Sequence, residues 1–139
     1  MASALIDGSA MVATFGARQK NAARYHELFQ LAALENWSLS TTWPCVVEAS
    51  YLVMPPQRYT LLQWVATGAI AVFPFRQEDL AEFVPLMKQY TQTPRTEMDL
   101  ADASLVWLAN ETGVTRVMTT DVRDFSRYRL PDGRAFEIL

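Results

Sequence analysis

An α/β fold built on a parallel sheet, with helices covering both of its faces, is predicted by three features of this chain. Short apolar runs at Ala4-Leu5-Ile6, Ala69 to Phe75 and Val114 to Met118 alternate with longer segments of helical periodicity. The first two runs are continuously apolar, as strands buried on both faces must be, and the third carries Thr115 and Arg116 between its apolar ends. Turn residues such as Gly68, Gly113 and Pro55-Pro56 separate the segments. No repeat, low-complexity tract or linker interrupts the pattern, so residues 1–139 are expected to form a single domain.

The elements follow in order. Ala4 to Ile6 predicts a buried strand, and Gly8-Ser9 a turn into a helix beginning near Ala10. Asn21 to Leu34 carries helical periodicity through Ala22, Tyr25, Phe29 and Ala33, and Trp37 to Ser40 predicts a second strand. Thr42 can cap a helix with Pro44 in its first turn, running to Val53 before Pro55-Pro56 stops it. Tyr59 to Ala66 predicts another helix, ended by Gly68, and Ala69 to Phe75 is the clearest strand. Glu78 to Tyr90 reads as an amphipathic helix interrupted at Pro85, and Thr96 to Glu111 as a helix closing at Gly113. Val114 to Met118 is a fourth strand, and Ala135 to Leu139 a closing edge strand.

Half of the 139 residues are apolar, enough for a sizeable core. The net charge of −3 does not advertise nucleic-acid binding. Two bound divalent cations would move it to about +1, which removes the objection to a polyanionic substrate. Cys45 is the only cysteine, so an intramolecular disulfide and a cysteine zinc cage are excluded. The apolar start lacks the basic region of a secretory signal, and no apolar run reaches spanning length. A soluble cytoplasmic protein without membrane contact is the expectation.

Four acids, Asp7, Glu48, Asp102 and Asp121, sit at the ends of predicted strands or on the apolar side of predicted helices, with no basic residue beside them. An unpaired carboxylate withdrawn from water is costly. Two such charges about 4 Å apart repel by roughly 4 kcal/mol at an effective dielectric near 20. A converging cluster therefore either protonates or collects a cation. The pattern predicts Mg²⁺ or Mn²⁺, at the C-terminal strand ends where open parallel sheets bind their ligands.

Each acid also has a plainer explanation. Asp7 can cap the helix after it, and Asp121 the segment from Val122, with Asp124 as partner. Asp99 fits the third helical position of a capping box begun by Thr96, which would put Asp102 beyond the first turn, facing with Met98, Leu105 and Ala109. Glu48 can reach solvent at a helix edge. Capping leaves the two helix-face acids without an account, and the joint pattern favours the metal site.

His26 is the single histidine and reads as an ordinary helix residue, which excludes a His-rich site and argues against a Ser-His-Asp triad. Cys45 reads as packing, and no glycine-rich phosphate loop is present. Trp37, Trp43, Trp64 and Trp107 read as core or dimer surface in preference to base-stacking platforms. Arg95, Arg123 and Arg127, with Arg129 and Arg134 nearby, form a candidate phosphate-binding rim.

Leu5-Ile6-Asp7-Gly8-Ser9, Val47-Glu48-Ala49, Asp99-Leu100-Ala101-Asp102-Ala103 and Thr119-Thr120-Asp121 followed by Asp124-Phe125, in that order, resemble the PIN-domain family and its VapC-type toxin ribonucleases. The resemblance runs the length of the chain. It implies a three-layer α/β/α sandwich with a central, mainly parallel sheet. It implies a metal site formed by Asp7, Glu48, Asp102 and Asp121, supported by Ser9 and Thr119, with Asp99 and Asp124 secondary. Gly8 departs from the family, where Thr is common. The implied activity is Mg²⁺- or Mn²⁺-dependent endoribonuclease cleavage of RNA by a metal-activated water, leaving a 5′-phosphate and a 3′-hydroxyl. The implied partners are a second copy of the chain and an antitoxin that blocks the acidic pocket, for which Tyr51 to Trp64 is the candidate contact. The alternative is a noncatalytic PIN-like module that binds RNA or protein. An acid-rich phosphatase is a weaker possibility, because Asp7-Gly8-Ser9 lacks a second Asp.

Overall fold

The structure, a computed structural model, describes residues 2–92 and 95–139. Strands β1 (Ser3–Ile6), β2 (Ser38–Thr42), β3 (Ala71–Phe73), β4 (Arg116–Met118) and β5 (Glu137–Ile138) form one sheet in the order β3-β2-β1-β4-β5. Every pairing is parallel. Seven helices among the described residues complete a three-layer α/β/α arrangement: α1 (Gly8–Phe15), α2 (Ala22–Leu34), α3 (Trp43–Leu52), α4 (Gln57–Ala66), α5 (Leu80–Tyr90), α6 (Leu100–Thr112) and α7 (Val122–Arg127). Helix α1 packs on α2, α3 and α4, and α6 packs on α5, α3 and β2. None of the helices is long and apolar enough to cross a membrane.

The chain builds outward from β1 through β2 to β3, then returns to place β4 on the other side of β1. The reversal lies between β1 and β4, where Leu5 pairs with Val117 and Ile6 with Met118. Loops leaving adjacent strands in opposite directions open a crevice at such a point. The residues immediately after these two strands, Asp7 and Thr119 to Asp121, therefore meet there.

Several boundaries differ from the sequence expectations for identifiable reasons. Helix α1 begins at Gly8, directly after the strand, because the Asp7 carbonyl already accepts from the Ala10 and Met11 amides. A Cβ at Gly8 would lie 3.0 Å from the Cys45 carbonyl oxygen, so glycine lets α1 approach α3 closely. Strand β2 runs on to Thr42, since the hydroxyls of buried Thr41 and Thr42 are satisfied by the Ile6 carbonyl and by Ser104. Strand β3 stops at Phe73, because Pro74 has no amide to donate. Pro85 does not interrupt α5, whose Phe83 is locked edge-on against Phe75 and also packs on Trp107.

The start of α6 is the correction that matters most for the site. Thr96 is held outside the helix by a bridge in which its carbonyl accepts the Gln92 amide at 2.9 Å. Asp99 is the N-cap, its Oδ1 accepting the Asp102 amide at 2.8 Å. Asp99 is thus not the third helical residue of a box begun by Thr96. Asp102 occupies that third position, within the first turn. Gly113, at φ 74°, ends the helix as expected.

Candidate functional site

Asp7 is fixed by the sheet and turned into the crevice by two hydroxyls. Its amide donates to the Met118 carbonyl at 3.0 Å, continuing the pairing of β1 with β4. Its side chain makes no capping bond to α1. Instead Oδ2 accepts from Ser9 Oγ at 2.7 Å and from Thr119 Oγ1 at 2.8 Å. Each hydroxyl has one proton, and both are spent on the same oxygen. The hydroxyl oxygens then accept in turn, Ser9 from the Thr120 amide and Thr119 from the Asp121 amide, both at 3.0 Å. Tyr25, buried beneath, donates to the Thr119 carbonyl at 2.6 Å.

Asp102, Asp121 and Asp124 each offer a carboxylate oxygen within 4.8 Å of the others. Asp102 reaches this point from α6 and is 9% exposed. Its Oδ2 accepts the hydroxyl of fully buried Tyr128 at 2.6 Å. Asp121 caps α7 by accepting the Asp124 amide at 3.3 Å. The reciprocal half of a capping box is missing, since the Asp121 amide is taken by Thr119 and the Asp124 carboxylate pairs with Arg127 at 3.0 Å. Asp124, secondary in the sequence reading, thus stands in the tightest acidic group.

Glu48 projects from α3 at the edge of the crevice and is exposed, outside the tight trio. It lines one cavity with Ser9 and Thr120, and a second with Asp99. Arg123 and Arg95 are exposed. Arg127 is committed to Asp124, and its Nε is buried without a partner. Arg129 donates to the Ser126 and Tyr128 carbonyls, and Arg134 pairs with Asp132. Tyr25 and Tyr128 were missed in the sequence because their contacts span 94 and 26 residues and no local pattern marks them.

No protein-family profile matches the sequence, and no curated protein matches it significantly. Solved structures do. VapC20 of Mycobacterium tuberculosis, a toxin that cleaves the sarcin–ricin loop, superimposes with a TM-score of 0.69 at 12% identity, over 87% of this chain and 92% of its own. FitAcB of Neisseria gonorrhoeae gives a TM-score of 0.56 at 19% identity, over 96% of each chain. The fold is PIN-like, of the VapC type. At these identities the likeness is one of architecture.

In this VapC-type fold the acids raise one another's proton affinity. Burial pushes Asp7 above the ordinary carboxylate range, against the Ser9 and Thr119 hydroxyls that favour its charge. Burial and then the Asp7 charge push Asp102 up to about 8, against the Tyr128 hydroxyl. Asp121 is pushed up to about 6 by burial and by Asp124. Glu48, exposed overall, is raised by partial desolvation of its carboxyl, then by Asp99 and Asp7. The leading causes of these shifts are burial, hydroxyl partners and neighbouring acids.

The donor set fits a hard divalent cation. The carboxylates of Asp102, Asp121 and Asp124 converge, with Asp7 outside that tight group, and among the described residues no histidine or thiolate joins them, which suits Mg²⁺ or Mn²⁺ and disfavours Zn²⁺. Cys45 is buried, its thiol pushed up to about 12 mainly by burial, and it stays protonated and inert. His26 is exposed on α2, with Nε2 2.7 Å from the Thr14 carbonyl oxygen.

Proposed function

We propose that this protein is a Mg²⁺- or Mn²⁺-dependent endoribonuclease and the toxin of a toxin–antitoxin pair. The observation that carries the reading is the meeting of Asp102, Asp121 and Asp124 within 4.8 Å, beside buried Asp7, at the switch point of a VapC-type sheet. Asp7 and Asp102 are buried with no cationic partner among the described residues, and such carboxylates destabilise a fold unless a ligand compensates them; a divalent cation is the ligand that they fit. An RNA substrate is supported by the architecture shared with VapC20, a sarcin–ricin loop cleaving toxin.

Asp7, Asp102, Asp121 and Asp124 would hold the ion, with Glu48 completing the site from α3. When bound, the ion supplies Lewis acidity toward a phosphodiester and activates a water. Ser9 and Thr119 fix the Asp7 carboxylate, and Tyr128 fixes that of Asp102. Exposed Arg123 and Arg95 would meet substrate phosphates, whereas Arg127 does so only if its pair with Asp124 opens. In this reading all 139 residues act as one cytoplasmic nuclease unit that forms a homodimer. An antitoxin would cover exposed Tyr51, Leu52, Met54 and Tyr59 and close the acidic pocket.

Mn²⁺ binding by calorimetry and cleavage of total RNA with and without EDTA, on wild type and Asp102→Asn, tests the reading. Wild type binds Mn²⁺ and cuts RNA in an EDTA-sensitive manner, and the variant stays folded but loses both. A folded, partner-free wild type that does neither is a noncatalytic binding module instead.

A further inference from the structure

We propose that the groove beside the acidic site receives a nucleobase of the RNA, with Trp43 as its stacking platform and a determinant of which base is accepted next to the cut. The proposal rests on the nuclease reading and names a part of the substrate that this reading leaves open. The groove is shallow and open to solvent, with a volume of about 520 Å³. Trp43, Val47, Phe75 and Leu100 wall it, and Glu48 and Asp99 stand on its rim.

Trp43 differs from the other three tryptophans. Trp64 packs against Phe15 and Phe29, Trp107 against Phe75 and Phe83, and Trp37 lies under the Arg116 guanidinium. Trp43, at the first position of α3, is 52% exposed and has no aromatic or cationic partner among the described residues. Its indole adds little to the core and faces the groove. Trp64 and Trp107 pack against the core, as expected, whereas Trp43 stands exposed at the surface.

Charge selects the occupant. Among the described residues no basic side chain lines the groove, and its two carboxylates repel phosphate, which disfavours the RNA backbone there. A nucleobase offers an apolar π face to the indole, and exocyclic amino groups to carboxylates that can only accept. Recognition of single-stranded RNA commonly takes this form, with unstacked bases laid on aromatic side chains. The groove also borders the acidic site through two of its lining residues. Asp99 belongs to its rim and holds the Asp102 amide, and Glu48 borders both this groove and the cavity containing Ser9 and Thr120. A base flanking a phosphate held at the acids is the part of the substrate within reach. A, C and G offer the rim an exocyclic amino group with two protons, where U offers only its single ring N3–H.

The test is steady-state cleavage in Mn²⁺ of a randomised RNA pool with sequenced cut junctions, and of one RNA from that pool in intact and abasic forms. Wild type, Trp43→Ala and Trp43→Phe are compared, with thermal unfolding of each. Wild type disfavours U at one position flanking the cut. Trp43→Ala flattens that preference and raises KM for intact RNA about five- to hundredfold with little change in kcat. Trp43→Phe retains most of both, and the abasic substrate loses nothing further in Trp43→Ala. Unchanged KM and preference in a folded Trp43→Ala overturn the proposal and leave the groove to a protein segment. Equal losses on intact and abasic RNA overturn it in favour of structural support. A wild type that cuts none of the pool in Mn²⁺ overturns the nuclease reading itself, and the base site with it.

Discussion

Two tyrosine hydroxyls show how the site is held at the scale of single residues. Tyr128, stacked edge-on between Tyr90 and Phe125, has no freedom to turn its hydroxyl away from Asp102. One Asp102 oxygen carries this bond, and the carboxylate lies within 4.8 Å of those of Asp121 and Asp124. Partners of this kind orient a ligand and tune its affinity, and their loss commonly weakens metal binding by about 10- to 100-fold. Tyr128→Phe removes only the hydroxyl and is expected to weaken Mn²⁺ binding within that range while the fold is kept. Calorimetry checks it, and wild-type affinity in the variant would show that the hydroxyl does not position Asp102. Asp7 and Asp121 were legible in the sequence because a strand end followed by an acid is a local pattern. Tyr128 was not, because an aromatic residue in a polar loop carries no sign that its hydroxyl meets a carboxylate on another helix.

At the scale of elements, the first turn of α6 joins fold and site. Thr96 offered a strong local capping signal, but the bridge to Gln92 removes it from the helix and gives the cap to Asp99. Sequence reasoning cannot see such a bridge, which is why α6 was begun too early and Asp102 placed a turn too deep. The alternation of strands and helices, and with it the parallel sheet, was legible because it depends on periodicity rather than on single partners. Asp99 is exposed, so its structural contribution is the cap. Asp99→Ala is expected to lower stability by about 1 kcal/mol, and Asp99→Asn, which still caps, by much less. Urea unfolding of the two variants separates cap from charge. Equal losses in both would mean that the carboxylate's charge, and not the cap, is what α6 needs.

For the whole molecule, the acidic site ties stability to pH and to metal. Asp102 is pushed up to about 8 and Asp121 up to about 6 in the folded protein, while in the unfolded chain both fall near the ordinary value of about 4. Between those limits the native state binds more protons than the unfolded one, so stability must fall as pH rises. The Asp121 contribution is spent by about pH 6, and that of Asp102 declines until about pH 8. Asp7 and Glu48, also raised, add to the slope in the same direction. A divalent cation reverses the argument, since it needs the ionised carboxylates and must displace their protons. At about 100 times its Kd it adds roughly 2.7 kcal/mol to the state that binds it. Thermal unfolding in EDTA is therefore expected to show Tm falling from pH 5 to pH 8, and saturating Mn²⁺ to raise Tm more at pH 8 than at pH 5. A flat profile in EDTA would mean that the carboxylates are compensated within the protein, and the physical need for a cation would go with it.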